Sequence, residues 1–546
     1  MSVSFDRLKN HINRDSLADW FDRISQESSA YARDKPSLFY AELAEQKTAY
    51  IQDFVDNFRY THSEIFYENL KPDHTLSFVR KKKECILYNC ELLNEELGIT
   101  VKPTLIFSKG AFQSIFTLVK TPLPDYIVCD ILYKNLHFTS DGDDLLNQGS
   151  LYYRKCKMWV ATNSLSPYMK DKNITKGFVF GKEYRHKDKI LPKKQTIGVF
   201  PLKEEHRVSV SEALAWIRKL EENYDSWLIY PKPSVKELYP NMNVRHPTWH
   251  KEKHRLAELI KEITLVWNIS YTKRCILLDK GISRWDDPVL LSQMYPYEAR
   301  ESHAHRVQEQ MIQTNSQKTL KIQPRRIQDP DFKEVILHQE DSIILDIESV
   351  GDLTEKESYF SEEIRESTMP KICIIGTILN QGECVFKDFT IRYLTLKEEE
   401  TIVGYWVSYL KKRFKEKAIK VYHWGHAEVT YLTYMRETYP KIVFPNLQMI
   451  NLLTFFRAEP ITIKGCFGYG LKEIVKQLYN LKLIDTTWSE DITGLDAMSK
   501  ILEVSKKAQA RNIPIKRFAE IKKIITYNYY DCRVIVDLLR MLERMV

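Results

Sequence analysis

The stretch that decides the fold is HQEDSIILDIESVG (338–351), in which a continuous apolar run ends in acidic residues. An apolar run of this length between polar residues is typical of a buried strand. Two further β-rich runs follow, KICIIGTIL (371–379) and ECVFKDFTIRY (383–393), and the NQG between them (380–382) is typical of a hairpin turn. The sequence therefore predicts three strands that include an antiparallel hairpin.

Helices and strands alternate after this hairpin. Residues 396–414 have the periodicity of an amphipathic helix, AIKVYHW (418–424) is typical of a fourth strand, and a second helix is predicted over 427–439. Further helices are predicted over 471–478 and from 517 almost to the last residue. This order predicts an α/β domain with an RNase H-like mixed sheet and flanking helices.

Residues 1–330 differ from this domain in charge. Residues 331–546 contain 31 basic and 31 acidic residues, whereas residues 1–330 contain 50 basic and 42 acidic ones. The first 330 residues therefore carry the whole net charge of +8, and such asymmetry is typical of a part that binds a polyanion. Pattern and composition predict an α/β domain over 1–205, a helical spacer over 206–301, a polar linker over 302–331 and the RNase H-like domain over 332–546.

Composition also excludes several classes of function. No apolar run approaches the roughly 20 residues of a membrane span, and the charged first residues predict no signal peptide. The nine cysteines form no CxxC pair, so we expect reduced thiols in an intracellular, soluble protein of the cytoplasm or nucleus. With only 17 glycines in 546 residues, the chain lacks the Gly-rich phosphate loops of Walker-type ATPases and dinucleotide enzymes.

Five residues are candidates for a catalytic site. Asp346 and Glu348 are two apart on the first strand, so their side chains point to the same face, where Mg²⁺ or Mn²⁺ would relieve their repulsion. Glu428 lies near the start of the helix after the fourth strand, and Tyr527 and Asp531 lie one helical turn apart. Plainer interpretations are a solvated strand end for the first pair, a helix cap for Glu428, and a core ring with a surface charge for the last two.

These residues belong to three segments that resemble, in order and context, the motifs of the DEDD superfamily of 3′–5′ exonucleases: LDIE (345–348), HWGHAE (423–428) and YNYYDC (527–532). FGYGLKEIV (467–475) resembles the helix that follows the second motif in this superfamily. More narrowly, residues 340–540 resemble the RNase H-like exonuclease domain that is fused to RecB-like nucleases in bacteria and large DNA viruses.

This resemblance implies a role for each candidate. Asp346, Glu348, Glu428 and Asp531 would hold two Mg²⁺ or Mn²⁺ ions, and Tyr527 would act as the general base or position the attacking water. The chain departs from the family pattern at one position, because the second motif usually supplies Asp and Glu428 stands there instead.

A second resemblance covers the middle of residues 1–205. The segments DILYKNLHF (130–138), LYYRKCKMW (151–159) and KGFVFGKEY (176–184) resemble the core of RecB-like PD-(D/E)XK nucleases. Asp130 takes the position of the metal-binding acid, but Leu132 stands where Lys is usual and Lys134 lies two residues later. Cys156 stands where the helix motif usually has Gln. The resemblance therefore implies a degenerate, inactive nuclease fold.

Three basic runs occur in this part of the chain, and the last two contain tyrosines. They are RKKK (80–83), YRKCK (153–157) and KEYRHKDKILPKK (182–194). Lysine and arginine would contact phosphates and tyrosine would stack on bases, although solvated surface lysines explain any single run equally well.

Together the sequence predicts a metal-dependent 3′–5′ exonuclease that hydrolyses DNA at a single strand or 3′ end by a two-metal mechanism. The basic first part would bind the nucleic acid, and RNA is the alternative substrate. The rival hypothesis is a non-catalytic nucleic-acid-binding scaffold in which both nuclease folds have decayed.

Overall fold

A computed structural model of the chain describes residues 2–81, 83–117, 122–169, 175–187, 189–193, 196–296, 301–351, 371–380, 384–488 and 492–546. The described residues form two compact units, with 2–35 and 43–256 in the first and 36–42, 257–351 and 371–546 in the second. Both units contain helices and mixed sheets, so the predicted α/β class is confirmed.

The first unit is built on a six-stranded mixed sheet. Its strands are β1 (Phe66–Glu68), β2 (Ile86–Tyr88), β3 (Leu105–Ser108), β4 (Tyr126–Ile131), β5 (Lys176–Phe180) and β6 (Gly198–Pro201), and they neighbour one another in this order. The β1–β2 and β4–β5 pairs are parallel and the other pairs are antiparallel. Every residue of β4 is buried, so Asp130 lies on a strand without a solvated face.

Short strands and helices complete this unit. Two small sheets are formed by Val3–Ser4, Ile99–Val101 and Leu92–Asn94, and by Lys189–Leu191, Glu183–His186 and Asn135–His137. The helices are Lys9–Ile12, Ser16–Ile24, Leu38–Thr61, Pro72–Arg80, Lys109–Ile115, α1 (Leu151–Leu165), Glu204–Asn223 and His250–Ile260. Only residues 43–61 of the third helix and residues 250–256 of the last one belong to this unit.

The second unit is built on a five-stranded mixed sheet. Its strands are β7 (Ser342–Ser349), β8 (Ile372–Leu379), β9 (Val385–Thr390), β10 (Ile419–His423) and β11 (Leu447–Asn451), in the order β9-β8-β7-β10-β11. The predicted antiparallel hairpin is confirmed, because β7 pairs antiparallel with β8 and β8 pairs antiparallel with β9. The parallel strands β10 and β11 extend the other side of β7. Gln381 and Gly382 of the predicted turn lie outside the described residues.

The helices around this sheet include α2 (Leu396–Phe414), α3 (Ala427–Thr438), α4 (Leu471–Asn480), α5 (Gly494–Arg511) and α6 (Ala519–Glu543). Shorter helices are Tyr271–Asp279, Leu290–Met294, His303–Ser316, Pro330–Leu337 and Leu452–Ala458, and Ile322–Gln323 pairs with Thr462–Ile463. Ile344 of β7 and Ile378 of β8 share one hydrophobic core with Ile535 and Leu538 of α6. The last long helix therefore packs directly on the two central strands.

A glycine allows α6 to lie this close to the sheet. Gly376 of β8 is the register partner of Asp346 on β7. A Cβ atom at Gly376 would lie 1.6 Å from Oδ1 of Asn528 on α6, far inside contact distance. The glycine is therefore required by the close approach of a helix side chain to the strand.

The structure differs from the sequence interpretation at 302–331, which we predicted as a linker. Residues His303–Ser316 form a helix of the second unit, and the described residues of 257–301 belong to the same unit. The polar residues that suggested a linker satisfy buried groups: Gln308 donates to the carbonyl of Trp267 and accepts from the hydroxyl of Tyr295, at 3.1 and 2.8 Å. Val307 and Met311 on the same helix are buried in the core.

Within the described ranges, no helix is both long and apolar enough to cross a bilayer.

Candidate metal centre

Three of the predicted acids converge at the centre of the second unit. Asp346 and Glu348 project from the same face of β7, and Asp531 projects from α6. Each of the three carboxylates offers an oxygen, and these oxygens all lie within 4.8 Å of one another. Among the described residues this is the one group of three or more acidic, histidine or cysteine side chains with such geometry. We call Asp346, Glu348 and Asp531 the carboxylate triad.

The carboxylate triad is poorly solvated, and this makes three negative charges costly. Glu348 and Asp531 are 6% and 8% exposed, and Asp346 is half-buried. Burial, with the charge of Asp531, raises the pKa of Glu348 to about 8. Burial also raises the pKa of Asp531 to about 6, and burial with the charges of the other two raises the pKa of Asp346 well above its ordinary value. A divalent cation would remove this repulsion.

Hydrogen-bond donors hold the carboxylate triad in place. Asn528 is fully buried, and its Nδ2 donates to Oδ2 and to the backbone carbonyl of Asp346, at 2.6 and 3.2 Å. Nε1 of Trp488 donates to Oδ1 of Asp531 at 2.8 Å. These contacts orient the carboxylates without neutralising them, since neither donor carries a charge.

Tyr527 is the fourth predicted residue that the structure brings to this group. It is 8% exposed and lies beside Asp531, which follows one turn later on α6. Burial, followed by the charges of Asp531 and Glu348, raises the pKa of the Tyr527 hydroxyl. The phenol is therefore a hydrogen-bond donor at neutral pH, which fits the predicted water-positioning role better than that of a general base.

A lysine also lies at this group. Nζ of Lys472, on α4, lies 4.6 Å from the ring centroid of Tyr527 and 5.7 Å from that of Trp488, and it donates to the carbonyl of Ile492. Its charge lowers the pKa of both Glu348 and Asp531, although burial outweighs it in both. Lys472 therefore supplies one positive charge beside three acids.

Glu428, the remaining predicted ligand, lies near the carboxylate triad without joining it. It lies in the first turn of α3, is 6% exposed, and its charge raises the pKa of all three acids. Its Oε2 lies 3.4 Å from Nδ1 of the fully buried His423. Within the described part of the chain, that oxygen and both ring nitrogens of His423 make no hydrogen bond. Buried polar atoms without a hydrogen-bond partner are candidate ligands for a further cation.

The sequence interpretation missed Asn528, Trp488 and Lys472. Asn528 lies within YNYYDC and Lys472 within FGYGLKEIV, so each belongs to a segment that the resemblance singled out. Nothing in the local pattern around Trp488 indicated a contact with Asp531, because the two residues are 43 positions apart.

In the first unit, Asp130, the acid of the predicted degenerate site, forms ion pairs with basic side chains of the same unit. Asp130 is fully buried, and Oδ1 accepts from the backbone N and Oγ1 of Thr104, both at 2.9 Å. Nη1 of Arg154 lies 2.9 Å from Oδ2, and Nζ of Lys157 lies 3.1 and 3.2 Å from the two oxygens. Burial alone would raise the pKa of Asp130, but the charges of Lys157 and Arg154 bring it below its ordinary value.

The other positions of this predicted site have structural contacts. Nζ of Lys134, which we considered as a substitute for the missing lysine, donates to the carbonyl of Gln148 at 2.6 Å. Leu132 and Cys156 are both buried. Asp130 is thus an ion-paired acid, and no described group of potential metal ligands includes it.

The structure also corrects one of the predicted basic runs. In YRKCK (153–157), Lys155 and Lys157 are buried, and Nζ of Lys155 donates to Oδ1 of Asp144 and to the carbonyl of Leu145, at 2.7 and 2.6 Å. The two lysines of this run are therefore internal, because Lys155 pairs with the half-buried Asp144 and Lys157 with the buried Asp130. The described residues of RKKK (80–83) are exposed, and its Lys82 lies outside the described residues.

The third basic run, KEYRHKDKILPKK (182–194), has both kinds of residue. Lys182 is buried with Nζ 4.5 Å from the ring centroid of Tyr133, whereas Lys189 is exposed. Asp188 and Lys194 of this run lie outside the described residues.

Comparisons of the chain with protein-family models, with curated proteins and with solved structures found no match.

Proposed function

We propose that the second unit is a metal-dependent nuclease of RNase H-like fold that hydrolyses phosphodiester bonds as a 3′–5′ exonuclease. The observation that carries the proposal is the carboxylate triad, whose oxygens lie within 4.8 Å of one another in a poorly solvated site. Buried acids without an opposing cation are costly, so a site that retains three of them calls for a cation.

The donor set fits Mg²⁺ or Mn²⁺. The candidate ligands are carboxylate oxygens, which these hard cations prefer, and within the described residues no thiolate belongs to the group. Asp346, Glu348 and Asp531 would hold the first ion. Glu428, whose buried Oε2 makes no hydrogen bond with the described residues, would complete the ligand set for a second ion. When bound, the ions would supply an activated water and stabilise the charge on the leaving oxygen.

The chain's own side chains prepare the site for this reaction. The hydroxyl of Tyr527 lies beside Asp531 and keeps its proton at neutral pH, so it can orient a water against the scissile phosphate. Asn528 fixes the rotamer of Asp346, and Trp488 fixes that of Asp531. The ammonium of Lys472, beside the Tyr527 ring, offers a positive charge to the phosphate.

The first unit is proposed to bind the nucleic acid without cutting it. Its support is the excess of 39 basic over 32 acidic residues in 1–35 and 43–256 and the exposed basic side chains of 80–83. Asp130 is ion-paired with Arg154 and Lys157, so its carboxylate is already neutralised without a metal ion. This supports a first unit that does not cut. DNA is the proposed substrate, and RNA is the alternative.

Digestion of end-labelled substrates tests the proposed reaction. Single- and double-stranded DNA and RNA would be incubated with Mg²⁺, with Mn²⁺ or with EDTA, and the products resolved at nucleotide resolution. We expect stepwise shortening from the 3′ end that requires the cation and is lost in Asp531→Asn. Asp537→Asn is the matched control, since Asp537 lies on the same helix but pairs with Arg533. Tight binding with no cleavage under either cation would support the scaffold hypothesis instead.

A second variant tests the role of Tyr527. We expect Tyr527→Phe to retain cation binding and to lose about 10²–10⁴-fold in turnover, the usual contribution of a positioned proton donor or acceptor. Cation binding would be measured by titration with Mn²⁺. Unchanged turnover would contradict the role assigned to Tyr527 but would not contradict the metal site proposed at the carboxylate triad.

A further inference from the structure

A cavity of about 190 Å³ lies on the face of α6 that carries Tyr527. Its wall contains the rings of Trp488, Tyr527 and Tyr530 and the side chains of Lys522 and Lys523. Both lysines are exposed, whereas the three rings are half-buried or buried. The cavity therefore combines aromatic surface inside with positive charge at its rim.

The cavity and the carboxylate triad share two residues. Tyr527 and Trp488 line the cavity, and Trp488 donates a hydrogen bond to Asp531. A ligand in this cavity would thus touch Tyr527 and the side chain that orients one of the proposed metal ligands. The cavity is a neighbouring compartment of the same site.

The lining matches the chemistry of a nucleotide. Aromatic rings stack on bases whatever the sequence, and lysines neutralise the phosphates that join them. The volume is below the roughly 300–1,000 Å³ of pockets for drug-sized ligands, so the cavity is suited to one base with its adjoining phosphate. A base can enter such a cavity only when it is not paired in a duplex.

We propose that this cavity binds one unpaired nucleotide of a single-stranded nucleic acid, with its base against Trp488, Tyr527 and Tyr530 and its phosphate at Lys522 and Lys523. The inference rests on the proposed nuclease function and assigns a substrate form to it. The enzyme takes a single strand, or a frayed end, in preference to a blunt duplex. Occupation of the cavity also brings the strand to Trp488, which orients Asp531.

Equilibrium binding without hydrolysis tests this assignment. Fluorescence anisotropy of a labelled oligothymidylate would be measured in EDTA with the full chain and two variants, Lys522→Gln/Lys523→Gln and Tyr530→Ala. Lys506→Gln/Lys507→Gln is the matched control, because it removes an exposed lysine pair from α5. Thermal unfolding of each variant would establish that it is folded.

We expect Tyr530→Ala to weaken binding about tenfold, as for the loss of one stacked base. The double lysine variant should lower the slope of log affinity against log salt by about 1.4, the value for two neutralised phosphates of a single strand. The control should keep a wild-type slope and affinity. A blunt duplex should compete poorly with the single strand, and single-stranded DNA and RNA would be compared to identify the preferred sugar.

The outcomes separate this inference from the proposed function. If wild type digests DNA and Asp531→Asn does not, but Lys522→Gln/Lys523→Gln binds and digests like wild type, the cavity assignment falls and the nuclease stands. If the double lysine variant and Tyr530→Ala bind weakly while even wild type digests nothing, the cavity stands and the nuclease falls. Equal competition by a blunt duplex would overturn the assignment to an unpaired nucleotide.

Discussion

The cost of crowding three acids predicts an unusual pH dependence of stability in the metal-free protein. The pKa of Glu348 is raised from 4.5 to about 8. Between these values the folded protein keeps a proton that the unfolded chain has released, so raising the pH favours unfolding. Stability from this group is therefore present at low pH, falls as the pH rises toward about 8, and changes little beyond that.

The size of this effect follows from the linkage relation. One proton bound more tightly in the folded state lowers the unfolding free energy by about 1.4 kcal/mol per pH unit, so Glu348 accounts for roughly 2–3 kcal/mol between pH 6 and pH 8. For a unit of this size, 1 kcal/mol corresponds to about 2 °C in melting temperature. We expect the metal-free wild type to lose about 5 °C over this interval.

Differential scanning calorimetry in EDTA at pH 6, 7 and 8 measures this change. Glu348→Gln should melt higher than wild type at pH 8 and should lack this part of the pH dependence. Glu400→Gln, which removes an exposed acid of α2, is the control and should follow wild type. Saturating Mn²⁺ should raise the melting temperature of wild type most at pH 8. If wild type and Glu348→Gln lose the same number of degrees between pH 6 and pH 8, the electrostatic reasoning is refuted.

Two further predictions concern packing and the buried ion pair of the first unit. Gly376→Ala should destabilise the second unit by about 1–3 kcal/mol, because the new Cβ would overlap the amide of Asn528. Gly404→Ala, whose Cβ would lie 4.0 Å from Cδ1 of Ile442, should be neutral or stabilising, and equal melting temperatures of the two variants would contradict the close approach at Gly376. Lys157→Met should destabilise the first unit by about 3–5 kcal/mol in denaturant titration, because it removes a cation from the fully buried Asp130. A wild-type midpoint would show that the pair contributes little.

The sheet of the second unit was accessible from the sequence because one strand is nearly continuous in apolar residues. The run that ends at Asp346 and Glu348 is typical of a buried strand, the NQG turn between the next two β-rich runs predicts the hairpin, and helical periodicity predicts the flanking helices. Asp531 was accessible because its spacing from Tyr527 is one helical turn, which holds wherever the helix packs.

The remaining features depend on tertiary contacts that local patterns do not encode. The side chain of Glu428 lies toward His423, and its chain position alone could not reveal that orientation. Lys157 belongs to a basic run whose composition is typical of a surface, but its side chain is buried and pairs with Asp130. The helix His303–Ser316 has too few apolar residues for its pattern to stand out from a linker.

The position of Asn528 on α6 has a consequence for how the protein reaches its native state. Its amide contacts Asp346 across 182 residues of chain, and Asp531 of the same helix joins Asp346 and Glu348 from a similar separation in sequence. Closing so long a loop is slow compared with forming a helix, so the helical signal of a refolding chain should recover before the proposed cation-dependent hydrolysis does. Recovery of the proposed hydrolysis would then time the docking of the last helix onto the central strands and would serve as a kinetic probe of that folding step.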